Sequence, residues 1–323
     1  MSTFIIAEAG VNHNGDLGLA RDLIDAAKEA GADAVKFQTF DADALVRVDA
    51  PKAGYQIRAT GAEEGQHEML RRLQIGAEGH RHLLAHCRHR GIEFMSTPFD
   101  LGSLAFLVEE LGLERLKISS GEITNGPVLL AAAGYGRPMI LSTGMATMRE
   151  IGDALAVIAF GLVNPDGEPS EKALADIADS DEGAAALRDK VTILQCTTDY
   201  PTAPGDANLN AMATLSDTFG VPAGFSDHTE GTAVPIAAAA LGARIIEKHL
   251  TLDRKMPGPD HAASIEPEAF AKMVAAIRVV EQALGDGVKR PTPAEEANRK
   301  IARRSLVATR PVAKGEAFTP DTP

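Results

Sequence analysis

Eight short, β-rich apolar runs recur along this chain, and each ends in polar or ionisable residues. They are FIIAEAG from Phe4, AVKFQT from Ala34, IEFMSTP from Ile92, RLKISSGE from Arg115, PMILSTG from Pro138, VTILQCT from Val191, VPAGFSDH from Val221 and ARIIEKH from Ala243. Helix-like stretches separate them, so strand and helix alternate eight times, the pattern of an α/β chain folded as a (β/α)8 barrel of the TIM type. A closed parallel barrel gathers all eight carboxyl ends around one mouth. Glu8, Lys36, Gln38, Thr97, Lys117, Ser120, Glu122, Ser142, Thr197, His228 and His249 are therefore expected to share one pocket.

With 323 residues and 45% hydrophobic content, the chain suits one barrel of roughly 250 residues plus a small appendage. No apolar run approaches the ~18 residues of a membrane span, and the N-terminus lacks the flank of a signal peptide, so a cytoplasmic protein is expected. A formal charge of −13 argues against nucleic acid or an anionic membrane as partner. It leaves room for an anionic small substrate, because converging lysines set the local potential. The two cysteines imply no disulfide framework, and Cys196 reads as a small buried hydrophobe near the barrel rim rather than a nucleophile.

Residues 16–30 predict an amphipathic helix capped by Asp16 and ended at Gly31. The connection 41–90 reads as an irregular loop over the mouth followed by helix, and a loop of that length usually serves function. The acid-rich stretch 164–183 reads as a solvated insertion without chemistry. Residues 266–284 predict the closing helix, so the barrel spans 1–284, with a linker over 285–300. The remainder, 301–323, starts a strand and turn but is too short for a core of its own.

Adjacent strands seven and eight bring the imidazoles of His228 and His249 to one height, which suits a divalent transition ion with open positions. Two hydrogen-bonded histidines orienting other groups are the alternative. Lys36 and Lys117 need anions, because an unpaired buried ammonium is expensive. Each pairs with a carboxylate such as Glu8 or Glu122, or both neutralise a phosphate and carboxylate on a substrate. The hydroxyls and glycines of KISSGE and LSTGMAT favour the second, since Ser120, Ser142, Gly144 and N–H groups at helix starts form a phosphate cradle. A Schiff-base lysine is a third possibility. Glu8 and Glu122 either divide acid and base duties or serve as partners of the lysines. The segment 253–268 reads as a lid loop, with Asp260 and His261 placed to bond polyol hydroxyls, or as a plain surface turn. Tyr200 contacts a ligand or packs at the rim.

The stretches IAEAGVNHNGD, AVKFQTF, FMSTPFD, LKISSGEITN, ILSTGMAT, LQCTTDYPT, GFSDHTEG and IIEKHLTLDRKMPGPDHAAS, in this order and over nearly the whole barrel, resemble the nonulosonic acid synthase family. The resemblance implies condensation of phosphoenolpyruvate with an N-acetylated mannosamine-type sugar to a nine-carbon 2-keto acid and phosphate. It implies a divalent metal, manganese or magnesium, on His228 and His249. It places Lys36, Lys117, Ser120 and Ser142 on phosphoenolpyruvate, Thr97 among the substrate-binding residues, and Glu8, Gln38, Glu122, Tyr200 and Asp260 toward the sugar or the reacting centre. Glu8, Glu122 and Lys117 are the residues it implies for catalysis, and a homodimer is the expected assembly.

Thr198, where sialic acid synthases carry Asn, and MPGPDHAAS resemble the legionaminic acid branch. The acceptor stays open between N-acetylmannosamine and 2,4-diacetamido-2,4,6-trideoxymannose. Family members finish with an antifreeze-like (SAF) domain that offers an arginine to the partner's sugar site; 301–323 resembles only its opening, so an incomplete domain with weakened sugar binding is expected. Two rival readings are a catalytically silent relative that binds sugar or metal, and a Schiff-base aldolase.

Overall fold

The structure, a computed structural model, describes residues 2–52, 54, 56, 57, 61 and 64–320. The eight apolar runs form β1 Phe4–Gly10, β2 Ala34–Thr39, β3 Glu93–Pro98, β4 Leu116–Ile118, β5 Met139–Ser142, β6 Val191–Gln195, β7 Ala223–Asp227 and β8 Ile245–His249. All ladders are parallel, in the order β3-β2-β1-β8-β7-β6-β5-β4. Strands β3 and β4 lie alongside each other without a ladder, so the barrel is nearly closed.

Local chemistry explains the helices between the strands. In Leu17–Glu29 the Asp16 carboxylate accepts from the Leu19 N–H, and Ala20, Leu23, Ile24 and Ala27 form one buried stripe. Gly31, at φ +83°, then turns the chain out of the helix, a conformation that costs a residue with a Cβ.

The strands alternate between two destinations. Outward side chains such as Val35, Phe37, Leu116 and Ile246 join the large core under the helices. Inward, Ile6, Ala34, Met95, Ile140, Leu194 and Ile245 fill the lower barrel as a separate apolar plug. Two residues further along β1, β2, β3, β5 and β8, on the same face, stand Glu8, Lys36, Thr97, Ser142 and Glu247. The period of two in a strand thus converts an apolar floor into a charged layer in a single step.

Three local expectations change. The first half of 41–90 contains a short helix, Ala42–Leu45, and its second half forms Gln66–Leu73 and Ala77–Arg90. The acid-rich insertion forms two helices, Glu171–Ala178 and Asp181–Lys190, packed on Met148–Val163; Ile177 and Leu187 are buried while the acids face out. Residues Met1–Ala283 form one compact unit and Leu284–Pro323 another. In the second, the helix Pro293–Ala302, with a Thr292–Glu295 capping box, occupies part of the expected linker. No strand forms among residues 303–320, because a lone extended segment has no ladder to join. No described helix is long and apolar enough to cross a membrane.

Candidate active site

The charged layer opens into a cavity of about 470 Å³ at the carboxyl ends of the strands. Its lining includes Glu8, Lys36, Gln38, Thr97, Lys117, Ser120, Glu122, Ser142, Tyr200, His228, His249 and Asp260. The twelve residues proposed for catalysis, substrate and metal come together in this one place. Glu247, Ser226 and Thr198 line it as well.

Glu247 is the residue that reading the strand ends missed, and it is central. Its carboxylate lies 3.6 Å from Lys36 Nζ and 3.5 Å from Lys117 Nζ, and Ser226 Oγ donates to it at 2.7 Å. Lys36 also pairs closely with Glu8 and donates to Thr97 Oγ1 at 3.2 Å. Lys117 donates to Ser142 Oγ at 2.8 Å. The signal for Glu247 was present in IIEKH, where Ile245, Glu247 and His249 share one face of β8.

Two carboxylates in this cluster diverge. Burial raises Glu8 to about 7, more than the neighbouring Lys36 lowers it. Burial also raises Glu247, but Lys117 and Lys36 together outweigh it and hold that group at about 2. One carboxyl therefore titrates near neutrality while the other stays ionised, because their surroundings differ. The two lysines and two carboxylates nearly cancel. Among the described residues no lysine pairs with Glu122; Asn125 Nδ2 donates to it at 2.6 Å.

The hydroxyl side is closed on itself. Gly144 N–H donates to Ser120 Oγ at 2.9 Å, and Gly121 N–H to Ser119 Oγ at 3.1 Å. A Cβ on Gly144 would lie 2.4 Å from Thr198 Oγ1 and 2.9 Å from Ser120 Oγ, so only glycine permits this approach. At the helix start after β5, Thr147 Oγ1 accepts from the Glu150 N–H and the Glu150 carboxylate accepts from the Thr147 N–H. Near Gly10, at φ +52° and beside a register shift in β1, three groups converge. Glu8 Oε1, Gln38 Nε2 and Asp260 Oδ2 all lie within 3.3–3.7 Å of where a Cβ would stand. Burial raises Asp260 to about 6.

His228 and His249 have ring centroids 5.5 Å apart, and Tyr200 stacks on His228 at 4.2 Å. His228 Nδ1 donates to the Thr197 carbonyl at 2.7 Å, which leaves Nε2 as a bare lone pair. His249 Nδ1 is buried with no hydrogen-bond partner among the described residues. Burial lowers both imidazole pKa values, and the neighbouring His228 and Lys36 lower His249 further. Two neutral imidazoles with uncommitted lone pairs fit a metal ion whose other positions take water or substrate oxygen. Among the described residues no group of three His, Cys, Asp or Glu side chains could hold one alone.

Two expectations are corrected. The Thr197 side chain leaves the pocket, because β6 ends at Gln195 and the chain turns; its hydroxyl donates to the Asp206 carbonyl at 2.7 Å and lines a neighbouring cavity. His261 is buried against Thr251 Oγ1 at 2.7 Å and does not face the cavity, whereas its neighbour Asp260 does.

Residues 23–289 match the model of the NeuB family. The chain is 44% identical over 317 residues to N,N'-diacetyllegionaminic acid synthase of Campylobacter jejuni, covering 98% of this chain and 88% of that protein. It is 46% identical over 315 residues to the Legionella pneumophila protein of the same name, covering 98% and 82%. Among solved structures it resembles an N-acetylneuraminic acid synthetase from Leptospira borgpetersenii, in complex with citrate, with a TM-score of 0.73, 33% identity and coverage of 93% and 91%.

Proposed function

The chain belongs to the NeuB family, and from that premise we propose that it condenses phosphoenolpyruvate with an open-chain N-acetylated mannosamine-type sugar. The products are a nine-carbon 2-keto sugar acid and inorganic phosphate. Because the two relatives named above are N,N'-diacetyllegionaminic acid synthases, the acceptor we assign is 2,4-diacetamido-2,4,6-trideoxymannose. The observation that carries the reading is two buried lysines, flanked by serine and threonine hydroxyls, in the same cavity as two neutral imidazoles and a carboxyl that titrates near 7.

In the proposed reaction C3 of the enol phosphate attacks the aldehyde carbon, water adds at C2, and the tetrahedral intermediate expels phosphate. Lys36 and Lys117 take the phosphate and carboxylate charge, with Ser120 and Ser142 as hydroxyl partners and Thr97 orienting Lys36. Glu247, held ionised, keeps both lysines charged and in place. Glu8 gives a proton to the aldehyde oxygen as the carbon–carbon bond forms, and Glu122 takes one from the attacking water. Gln38 and Asp260, converging with Glu8 near Gly10, bond the sugar, and Tyr200 packs over His228 at the reacting centre. His228 and His249 would hold manganese or magnesium, which would supply Lewis acidity at the aldehyde oxygen.

Phosphate release from phosphoenolpyruvate tests this. It is expected to require both the acceptor and a divalent metal, to stop with EDTA, and to be lost in His249→Ala while the barrel stays folded by circular dichroism. Release without acceptor, full activity in His249→Ala, or a pyruvate adduct trapped by borohydride would overturn it.

A further inference from the structure

One side of the cavity is chemically unlike the rest. Beside the charged strand ends its lining includes Val11, Leu45, Val46, Met69, Leu70 and Phe99, with Gln56 and Gln66 as polar groups from the same connection. The apolar side chains belong to a hydrophobic cluster separate from the barrel's two others. It is built on the helices Ala42–Leu45 and Gln66–Leu73, with Leu45, Val46 and Phe99 only partly buried against it. The strands supply none of the helical part of this wall.

Phosphoenolpyruvate gives such a wall nothing to do. Its phosphate and carboxylate are matched by the lysine and hydroxyl side, and its carbon skeleton is small. A sugar hydroxyl set against Leu45 or Val46 would lose its water partners and find neither donor nor acceptor in their side chains. A methyl group set there would lose nothing and leave water. The polar groups near Gly10, by contrast, can bond the hydroxyls that remain on the acceptor.

We propose that the apolar wall over the barrel mouth, presented by Leu45 and Val46 and backed by Met69 and Leu70, is the acceptor-specificity element. It selects a sugar that carries an acetamido group in place of the C4 hydroxyl and is deoxygenated at C6, so that C6 is a bare methyl. This rests on the condensation reading and deepens it: the strand ends recognise the phosphate-bearing partner and perform the reaction, and the post-β2 helices choose the sugar. A hydrophobic pocket rejects an added hydroxyl by about 10²-fold in kcat/KM, so the wall can set a sugar preference of that size without touching the charged groups.

The experiment compares kcat/KM for 2,4-diacetamido-2,4,6-trideoxymannose and N-acetylmannosamine, by phosphate release at saturating phosphoenolpyruvate and manganese. It uses the full chain and the variants Val46→Thr, nearly isosteric, and Leu45→Asn. The parent is expected to prefer the trideoxy sugar. Each variant is expected to lower that preference about tenfold or more, with the KM for phosphoenolpyruvate unchanged within about twofold. An equal fall for both sugars, or no change in their ratio, would make the wall packing alone and overturn the proposal. So would a parent preference for N-acetylmannosamine. Turnover of neither sugar would overturn the condensation reading and this inference together.

Discussion

Strand β8 carries buried charge on both of its faces, and the two faces are built differently. Outward, Lys248 Nζ donates to Asp227 Oδ2 at 2.5 Å and to the Thr229 carbonyl at 2.7 Å. Asp227 Oδ1 accepts from Thr229 N–H and Oγ1 at 2.9 and 2.8 Å. Asp227 and Lys248 are register partners of β7 and β8 and immediately precede His228 and His249, so the pair ties together the two strands that present the imidazoles. Inward, Glu247 stands 3.5–3.6 Å from two lysines, and those lysines face a cavity. A buried charge surrounded by local partners holds a structure together. A buried charge beside open space is held ready for another molecule.

The sharpest break of this contrast swaps the roles of the two faces. Lys117→Met is expected to lower kcat/KM by about 10²–10³-fold, measured by phosphate release, because it removes a charge that the proposed reaction sets against phosphoenolpyruvate. Its urea midpoint should stay close to that of the parent, since Lys36 remains beside Glu247. Lys248→Met should do the reverse. It strands Asp227 in the interior and costs about 3–5 kcal/mol in urea unfolding, with kcat/KM within about tenfold while the fold persists. Equal losses of stability in the two variants would erase the distinction between the faces.

Asp260 is a smaller and intermediate case, a buried carboxyl whose rise to about 6 comes from burial alone. Because the folded value lies above the ordinary 3.8, its contribution to stability is fully present below that value and is lost as pH rises through about 6. At 1.36 kcal/mol per unit the loss is about 3 kcal/mol. Asp260→Asn stays neutral at every pH. The unfolding free energy of the variant minus that of the parent should therefore grow by about 3 kcal/mol between pH 3 and pH 7. A difference that stays flat would show the carboxyl solvated or matched by a cation.

Much of the site was legible because barrel geometry makes it so. Any polar side chain at an inward position near a strand end reaches the mouth, which is why Lys36, Lys117, Ser142, His228 and His249 could be assigned before a contact was known. Glu247 is equally legible in the alternation of IIEKH, where it shares a face with His249 although it is not the terminal residue of the strand. Thr197 is the opposite case: it follows a strand that stops early, and where a chain turns is set by its neighbours. The apolar wall was hidden because Leu45, Val46 and Leu70 read as loop and helix positions, and their proximity to β1 and the mouth is a long-range fact.

The sequence by itself determined what acts over a few residues: eight strands from apolar runs, helices from caps and stripes, and the step from Ile6 to Glu8 or Ile245 to Glu247 that places charge above an apolar floor. Only the tertiary structure decided what each charge became. Glu8 and Glu247 are the same amino acid in the same layer of one barrel, yet one is poised at about 7 and the other at about 2. Desolvation and Coulomb forces sum over everything nearby in space, and the groups nearby in space, Lys36 and Lys117 above all, come from distant parts of the chain.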